Sequence, residues 1–190
     1  MIFKHITNNK GATIIELLIV LIIIISIFSI TLVADFPRAK MNIALSQAAY
    51  TFGQYTRKAQ LMALSDPQYK NSQGAMQPVG GYGVYIDMAR PTQYALYADA
   101  IPVNMHYDGP LTDIVVESID FSSTQPGIII KEINNIVGNS TSINFSGPSP
   151  KTTINPTPLK EHIEVVFALA SEPSKTKTVS INTAGLIEVK

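Results

Sequence analysis

Residues 10–20 read KGATIIELLIV and open the longest apolar segment of the chain. From Ile14 to Ala34 the sequence is almost wholly apolar, and Glu16 is the only charged residue in this run. A helix needs roughly 20 such residues to cross the hydrocarbon core of a bilayer. The run therefore predicts a helix that spans a membrane. Its other polar residues are Ser26, Ser29 and Thr31.

Glu16 lies near the start of this run, where a carboxylate needs a partner. A charged side chain at the centre of a membrane helix costs roughly 2.5–3.5 kcal/mol. One alternative is that Glu16 sits near the interface and faces lipid headgroups. The other starts from Gly11 and Ala12, two small residues directly before the run. Cleavage between them would give Ala12 a free ammonium group one helical turn from Glu16, so this group, from the same or a neighbouring chain, is the expected partner.

The residues before the run are basic, because Lys4 and Lys10 are its only charged neighbours on that side. Basic residues that flank a membrane span stay in the cytoplasm, so the amino terminus is expected inside and the rest of the chain outside. An ordinary secretory signal is the competing interpretation. Its apolar region is usually about 7–15 residues long and ends at a pair of small residues, whereas this run is longer and residues 32–35 read LVAD.

A second helical segment follows the run. Apolar residues recur at steps of three and four, which predicts a helix with one apolar stripe that packs on the following domain. Pro37 removes one hydrogen bond of a regular helix, so we expect a kink there, and Pro67 is expected to end the element. The stripe consists of Met41, Leu45, Ala48, Phe52, Tyr55, Ala59 and Met62.

The remainder of the chain, from residue 67, has the alternating pattern of an antiparallel β domain. Strong strand candidates contain Tyr82–Ile86, Tyr94–Ala98 and Ile163–Leu169, and a closing hairpin joins Val179–Ile181 to Ile187–Val189. Weaker candidates are Ile114–Ile119, Gly127–Ile133 and Ser142–Phe145.

Residues 10–20 resemble the amino-terminal motif of type IV pilins and type II secretion pseudopilins. The resemblance implies that a prepilin peptidase cuts between Gly11 and Ala12 and N-methylates Ala12, where the family most often has phenylalanine. It also implies that Glu16 is the family's glutamate at the fifth residue of the mature chain, which pairs with the Ala12 amine of an adjacent subunit during filament assembly. More loosely, Gly81–Tyr85 and the closing hairpin resemble the pseudopilin H or minor-pilin branch.

The implied fold class is α+β: a long bent amino-terminal helix, membrane-spanning in its first half, packed on a carboxy-terminal antiparallel β-sheet domain. The expected segments are a cytoplasmic leader at 1–11, a transmembrane and filament-core helix at 12–36, an amphipathic half at 37–66 and an extracytoplasmic β domain at 67–190. The implied location is the cytoplasmic membrane, with a cell-surface or periplasmic filament after assembly.

Composition excludes several other functions. The 14 basic and 14 acidic residues balance, so capture of nucleic acid is not expected. The chain has no cysteine, which excludes disulfides and thiolate chemistry. No catalytic constellation is apparent, and neither an enzyme activity nor a cofactor or metal is predicted. A calcium site in the Asp99–Asp113 loop is the open alternative, with Asn104 and Asp108 as further oxygen ligands, although such residues usually serve turns.

The sequence therefore predicts a prepilin that becomes the structural subunit of a type IV pilus or type II secretion pseudopilus-like filament. The expected partners are other pilin-like subunits, the prepilin peptidase, the membrane, and the filament assembly platform with its ATPase. The alternative is a single-pass membrane-anchored extracytoplasmic binding module that does not polymerise.

Overall fold

A computed structural model of the chain describes residues 13–65, 68–70, 75–100, 103–147 and 151–190, without the side chains of residues 30–35 and 70. The chain divides into two compact units, Met1–Lys40 and Met41–Lys190. The first unit contributes the beginning of a helix, and the second contains the hydrophobic core. The two are described separately below.

Helix α1 runs from Ile14 to Ser65 and continues through Pro37. Thr13 begins it as the N-cap, because the Thr13 carbonyl accepts the first helical hydrogen bond, from the Leu17 amide, at 3.1 Å. The helix is continuous at Pro37, and the predicted kink there stays a prediction. Pro67, which was expected to end the helix, lies outside the described residues.

Eleven strands follow among the described residues. Their order along the chain is β1 (Gln68–Lys70), β2 (Met76–Pro78), β3 (Gly81–Asp87), β4 (Gln93–Asp99), β5 (Ile114–Asp120), β6 (Ile128–Asn134), β7 (Ser140–Ser146), β8 (Lys151–Asn155), β9 (His162–Leu169), β10 (Glu172–Asn182) and β11 (Ile187–Val189).

The strands form three antiparallel sheets. Strands β1 and β2 pair with each other, five strands follow the order β5-β4-β3-β7-β8, and four follow the order β11-β10-β9-β6. The hairpin β3–β4 is local, whereas β7 joins β3 across the three intervening strands β4, β5 and β6, and β6 joins β9 across β7 and β8. Strands that are far apart in sequence therefore meet in both larger sheets.

The core of the second unit lies between the apolar stripe of α1 and both larger sheets. Phe52 is fully buried, and its ring lies 5.1 Å from that of Tyr94 on β4 and 5.5 Å from that of Phe167 on β9. The predicted stripe is confirmed: Leu45, Ala48, Phe52 and Ala59 are buried, and the remaining members, Met41, Tyr55 and Met62, are partly buried against the core.

The predicted strands are found with their predicted faces. Tyr82, Val84 and Ile86 are buried opposite Ala98, Leu96 and Tyr94. The closing hairpin pairs Val179 with Val189 and Ile181 with Ile187. Strands β1, β2 and β8 were not predicted.

The predicted fold class is nevertheless wrong. The chain is mostly β, with three antiparallel sheets in place of the single sheet domain on which a pilin-like helix was expected to pack. The physical reason is that most strands belong to one of the two larger sheets, which share one core. Pairing between strands far apart in sequence decides to which sheet each strand belongs.

The predicted membrane span is also wrong. Across the described ranges, no helix is both long enough and apolar enough to cross a membrane. This finding also contradicts the predicted location in the cytoplasmic membrane and the predicted transmembrane helix at 12–36. Residues 30–35 of the predicted run have no described side chains.

Candidate functional site

The first unit carries the most unusual surface of the chain. The apolar side chains between Ile14 and Ile25 are each between 47% and 81% exposed. We refer to these side chains as the apolar helix surface. Consecutive helical residues differ in direction by about 100°, so a run of this length faces every side of the helix. The surface is apolar all round, with Glu16 as its one charged interruption.

Polar groups on the next turns of the helix do not need water. The Ser26 hydroxyl donates to the Ile22 carbonyl at 2.8 Å, and the Ser29 hydroxyl donates to the Ile25 carbonyl at 2.8 Å. Because both hydroxyls are satisfied within the helix, burying this segment leaves no serine donor without an acceptor. The segment is therefore suited to a dry environment.

Packing between turns leaves a shallow depression on the same surface. Ile14, Leu17, Leu18 and Leu21 line a groove of about 190 Å³. These residues are spaced three and four apart, so their side chains form a row along one side of the helix. An apolar side chain from another helix can fit between them, as in ridges-into-grooves packing.

Glu16 lies in the first turn of α1 and is exposed. Its backbone amide donates to the Thr13 hydroxyl at 3.3 Å. A threonine N-cap followed three residues later by glutamate is the pattern of a capping box. A carboxylate in the first turn is also favoured by the helix dipole. The T-x-x-E sequence at residues 13–16 could have revealed this pattern, which our sequence analysis missed.

The predicted processing residues are not part of this description. Gly11 and Ala12 lie outside the described residues, so the pairing of Glu16 with the Ala12 amine stays a prediction. Of the three residues predicted to act in processing and assembly, the structure places Glu16 alone.

The carboxylates that suggested a calcium site accept hydrogen bonds from backbone amides. Asp99 is fully buried and accepts the Met105 amide at 2.7 Å and the Asn104 amide at 3.5 Å. Burial raises the pKa of the Asp99 carboxyl, and the two amides partly oppose this rise. The carboxylate holds the start of the loop against the end of β4.

Asp113 has the same role at the other end of this loop. It is buried and accepts the Ala100 amide at 3.0 Å and the Asp108 amide at 2.6 Å. In the part of the chain that the structure describes, no group of three or more histidine or acidic residues could hold a metal ion. The two buried carboxylates therefore stabilise the conformation of the loop by accepting hydrogen bonds from its backbone amides.

The histidines do not form a catalytic site with this loop. His106 Nδ1 lies 2.9 Å from the Ser142 hydroxyl, and His106 Nε2 lies 3.9 Å from Asp108 Oδ1. Ser142 is fully buried inside the five-stranded sheet, so no substrate carbonyl can reach its oxygen. His162 pairs with Glu164 at 3.6 Å on β9, and His5 lies outside the described residues.

A polar cluster joins α1 to β5 within the second unit. The Tyr55 hydroxyl donates to Glu117 Oε1 at 2.5 Å, and Lys58 Nζ donates to Glu117 Oε2 at 2.7 Å. The hydrogen bond from Lys58, and then that from Tyr55, lowers the pKa of the Glu117 carboxyl. The same carboxylate raises the pKa of the Tyr55 hydroxyl.

Chemically, the apolar helix surface offers exposed side chains that can pack against another apolar surface. Comparison with family models, with curated proteins and with solved structures finds no match to this chain.

Proposed function

We propose that the chain is the structural subunit of a filament of the type IV pilus or type II secretion pseudopilus kind. In this proposal a prepilin peptidase cuts between Gly11 and Ala12, and the apolar helix surfaces of many copies then pack together. Other pilin-like subunits, an assembly platform and its ATPase are the proposed partners. The observation that carries the proposal is the exposed, all-round apolar surface between Ile14 and Ile25.

Exposed apolar area supports association. Burying a fully exposed leucine or isoleucine gains roughly 1.5–3 kcal/mol. The side chains here are about half exposed in the single chain, so covering each one gains on the order of 1 kcal/mol. Summed over the surface, the free energy gained by covering these side chains exceeds the contribution of most single interactions to association. Soluble monomers rarely leave such a continuous apolar patch uncovered.

The all-round distribution favours several neighbours over one. A helix that is apolar on a single face needs one partner surface, whereas a helix that is apolar on every side belongs in the interior of an assembly. Copies of the same helix provide neighbours on all sides and carry the same apolar side chains. Repeated head-to-tail contacts that do not close give an open helical filament.

Glu16 supplies the proposed register between copies. An unpaired carboxylate is costly in a dry interior, so each copy needs a cation close to Glu16. The resemblance implies that the Ala12 ammonium of a neighbouring copy is this cation. One glutamate and one new amino terminus per chain would then set a single axial offset between neighbours.

Processing and assembly can be tested together. The chain is produced in cells that also carry a prepilin peptidase, an assembly platform and its ATPase, and its intact mass and its sedimentation are measured. We expect a mass that corresponds to loss of residues 1–11, and sedimenting filaments under negative-stain electron microscopy. A processed protein that stays monomeric, or a chain that keeps residues 1–11, would contradict the proposal.

A matched pair of substitutions tests the assembly surface. Leu18→Lys places a charge within the apolar helix surface, whereas Leu111→Lys makes the same change at a loop residue that is 100% exposed. We expect Leu18→Lys to abolish sedimentation without preventing the loss of residues 1–11, because a buried unpaired ammonium is costly. Leu111→Lys should assemble like the unchanged chain; equal assembly of both variants would exclude the surface.

Glu16→Gln separates the two roles of Glu16. Glutamine can replace glutamate in a capping box but carries no charge. If Glu16 pairs with an ammonium group, Glu16→Gln is processed normally and fails to enter filaments. Filament yield equal to that of the unchanged chain would show that capping is the whole role of this residue.

A binding module that does not polymerise is the second candidate. A groove of about 390 Å³ on the five-stranded sheet favours it. The two candidates differ in the sedimentation experiment, since the binding module remains monomeric after processing.

A further inference from the structure

A groove with both aromatic and charged lining residues lies on the outer face of the five-stranded sheet in the second unit. We refer to it as the sheet groove and define it by Tyr85, Arg90, Gln93, Ala95, Tyr107 and Ser118, which are among its lining residues. Its volume is about 390 Å³, within the range of about 300–1,000 Å³ that is usual for small-molecule sites. The filament proposal does not use it.

The floor of the groove is set by strand register. Ala95 on β4 lies opposite Tyr85 on β3 and opposite Ser118 on β5. A methyl group therefore stands between a large aromatic side chain and a hydroxyl. The small side chain leaves the space that a larger residue at this position would fill.

One wall of the groove is aromatic. The Tyr107 ring lies 4.5 Å from the Tyr85 ring and 5.0 Å from the Tyr97 ring, with tilted planes in both pairs. Tyr107 belongs to the loop that Asp99 and Asp113 hold from the inside through backbone amides. The wall is therefore anchored before a ligand arrives, and this reduces the ordering cost of binding.

The polar end of the groove carries both signs of charge. Arg90 and Asp87 line it together with Gln93. No carboxylate among the described residues lies within ion-pair distance of Arg90, and Asp87 accepts the Ala89 amide at 2.9 Å. An anionic ligand would meet Asp87, and a cationic ligand would meet Arg90. A purely apolar ligand would strip water from both without replacing its hydrogen bonds.

The groove also excludes recognition by strand addition. It lies over a sheet face, where the backbone groups of β4 are already paired with β3 and β5. An extended peptide gains affinity mainly by adding a strand to a free sheet edge. Side chains alone must recognise the ligand here, through an aromatic surface and a few donors and acceptors.

We propose that the sheet groove binds a neutral saccharide of about one or two rings. The apolar C–H face of a pyranose packs against Tyr107 and Tyr85. Its hydroxyls donate to Asp87 and accept from Arg90 and Gln93, so each polar group that loses water regains a hydrogen bond. The ligand has no net charge, which matches a lining that contains one cation and one anion.

Nuclear magnetic resonance of the full chain with labelled tyrosine rings tests this proposal. The chain is kept in a zwitterionic detergent without a sugar headgroup. The probes are glucose, galactose, cellobiose, lactose and N,N′-diacetylchitobiose, with glucuronic acid and glucosamine as charged counterparts. We expect saturable shifts of the Tyr85 and Tyr107 rings with at least one neutral probe, and weaker binding of its charged counterpart.

Two groove variants and one control variant locate the binding. Ala95→Leu fills the floor and should raise the dissociation constant at least about tenfold, whereas Ala184→Leu, in the exposed turn of the closing hairpin, should leave it unchanged. Arg90→Ala removes an exposed side chain, so the fold is retained, and it should also weaken binding. No saturable shift with any neutral probe, a preference for a charged probe, or unaltered affinity in both groove variants would overturn the proposal. Because the protein is unassembled in this experiment, its outcome is independent of filament formation.

Discussion

At the scale of single residues, acidic side chains have roles that their positions in the sequence did not reveal. Asp99 and Asp113 resemble ligands of a calcium site, yet their oxygens accept backbone amides of the loop between them. Glu16 resembles an acid without a partner, yet it completes a T-x-x-E pattern whose threonine caps α1. For Asp99 and Asp113, the backbone amides of the loop are the donors that the structure shows.

Glu117 links stability to pH. Its folded-state pKa is lowered from 4.5 by the hydrogen bonds from Lys58 and Tyr55. The resulting stabilisation is fully present above the unfolded-state pKa and is lost as pH falls through the lower folded-state pKa. The Glu117 side chain is 38% exposed, so solvent screening limits the effect to about 1 kcal/mol or less.

We expect Glu117→Gln to lower the free energy of unfolding at pH 7 by up to about 1 kcal/mol, and to differ less from the unchanged chain below pH 4.5. Urea unfolding at several pH values measures this. Glu132→Gln is the control, because Glu132 lies 3.9 Å from Lys131, beyond hydrogen-bond distance. A pH-independent deficit in Glu117→Gln would assign its effect to packing.

At the scale of elements, the glycine-rich start of β3 is explained by close packing between strands. A Cβ atom on Gly83 would lie 2.5 Å from the Ile143 carbonyl oxygen and 2.7 Å from the Tyr97 ring. Only glycine lets β3 approach β7 and the aromatic ring at this point. The sequence motif is thus a requirement of the sheet.

We expect Gly83→Ala to lower the free energy of unfolding by about 1–3 kcal/mol, because the neighbouring backbone cannot move away without strain. Thermal unfolding followed by circular dichroism measures this. Gly53→Ala is the matched change in α1, where the added methyl group meets the end of the Val189 side chain at 3.3 Å. Its effect should be neutral or stabilising, since alanine favours helix by about 1 kcal/mol over glycine; equal losses in both variants would contradict this explanation.

At the scale of the whole molecule, the two compact units differ in how their apolar residues are covered. The second unit buries a continuous core that begins at Leu45 and includes both larger sheets. The first exposes nearly all the apolar side chains that are described in it. The second unit therefore provides the buried core that stabilises the fold, and the first unit provides the surface proposed for association.

We expect residues 41–190 to fold alone as a monomer, because this segment contains every buried apolar residue of the described core. Size-exclusion chromatography and cooperative thermal unfolding measure this. A chain that begins at residue 60 is the control; it lacks Leu45, Phe52 and Ala59, so its core is incomplete and it should not unfold cooperatively. Non-cooperative melting of residues 41–190 would show that the first unit is needed for folding.

Local patterns predicted the elements that have one strongly buried side. The helical stripe through Phe52 and the alternation through Val84 or Val165 depend only on the spacing of apolar residues, and their burial confirms them. Strands β1, β2 and β8 escaped prediction because they are short and mostly polar; Ile154 is the one buried apolar residue of β8. A strand can be predicted from the alternation of apolar residues only when several of its positions are buried.

The sequence by itself determined that the chain contains an apolar helical run, then an amphipathic helix and then antiparallel strands. These features follow from interactions between residues that are close along the chain. Only the tertiary structure decided that the strands divide into three sheets, that Asp99 and Asp113 fold a loop, and that Ala95 leaves a groove beneath Tyr107. The reason is physical: sheet partners and groove walls come from segments far apart in sequence, and their pairing is chosen by shared burial, which no local pattern contains.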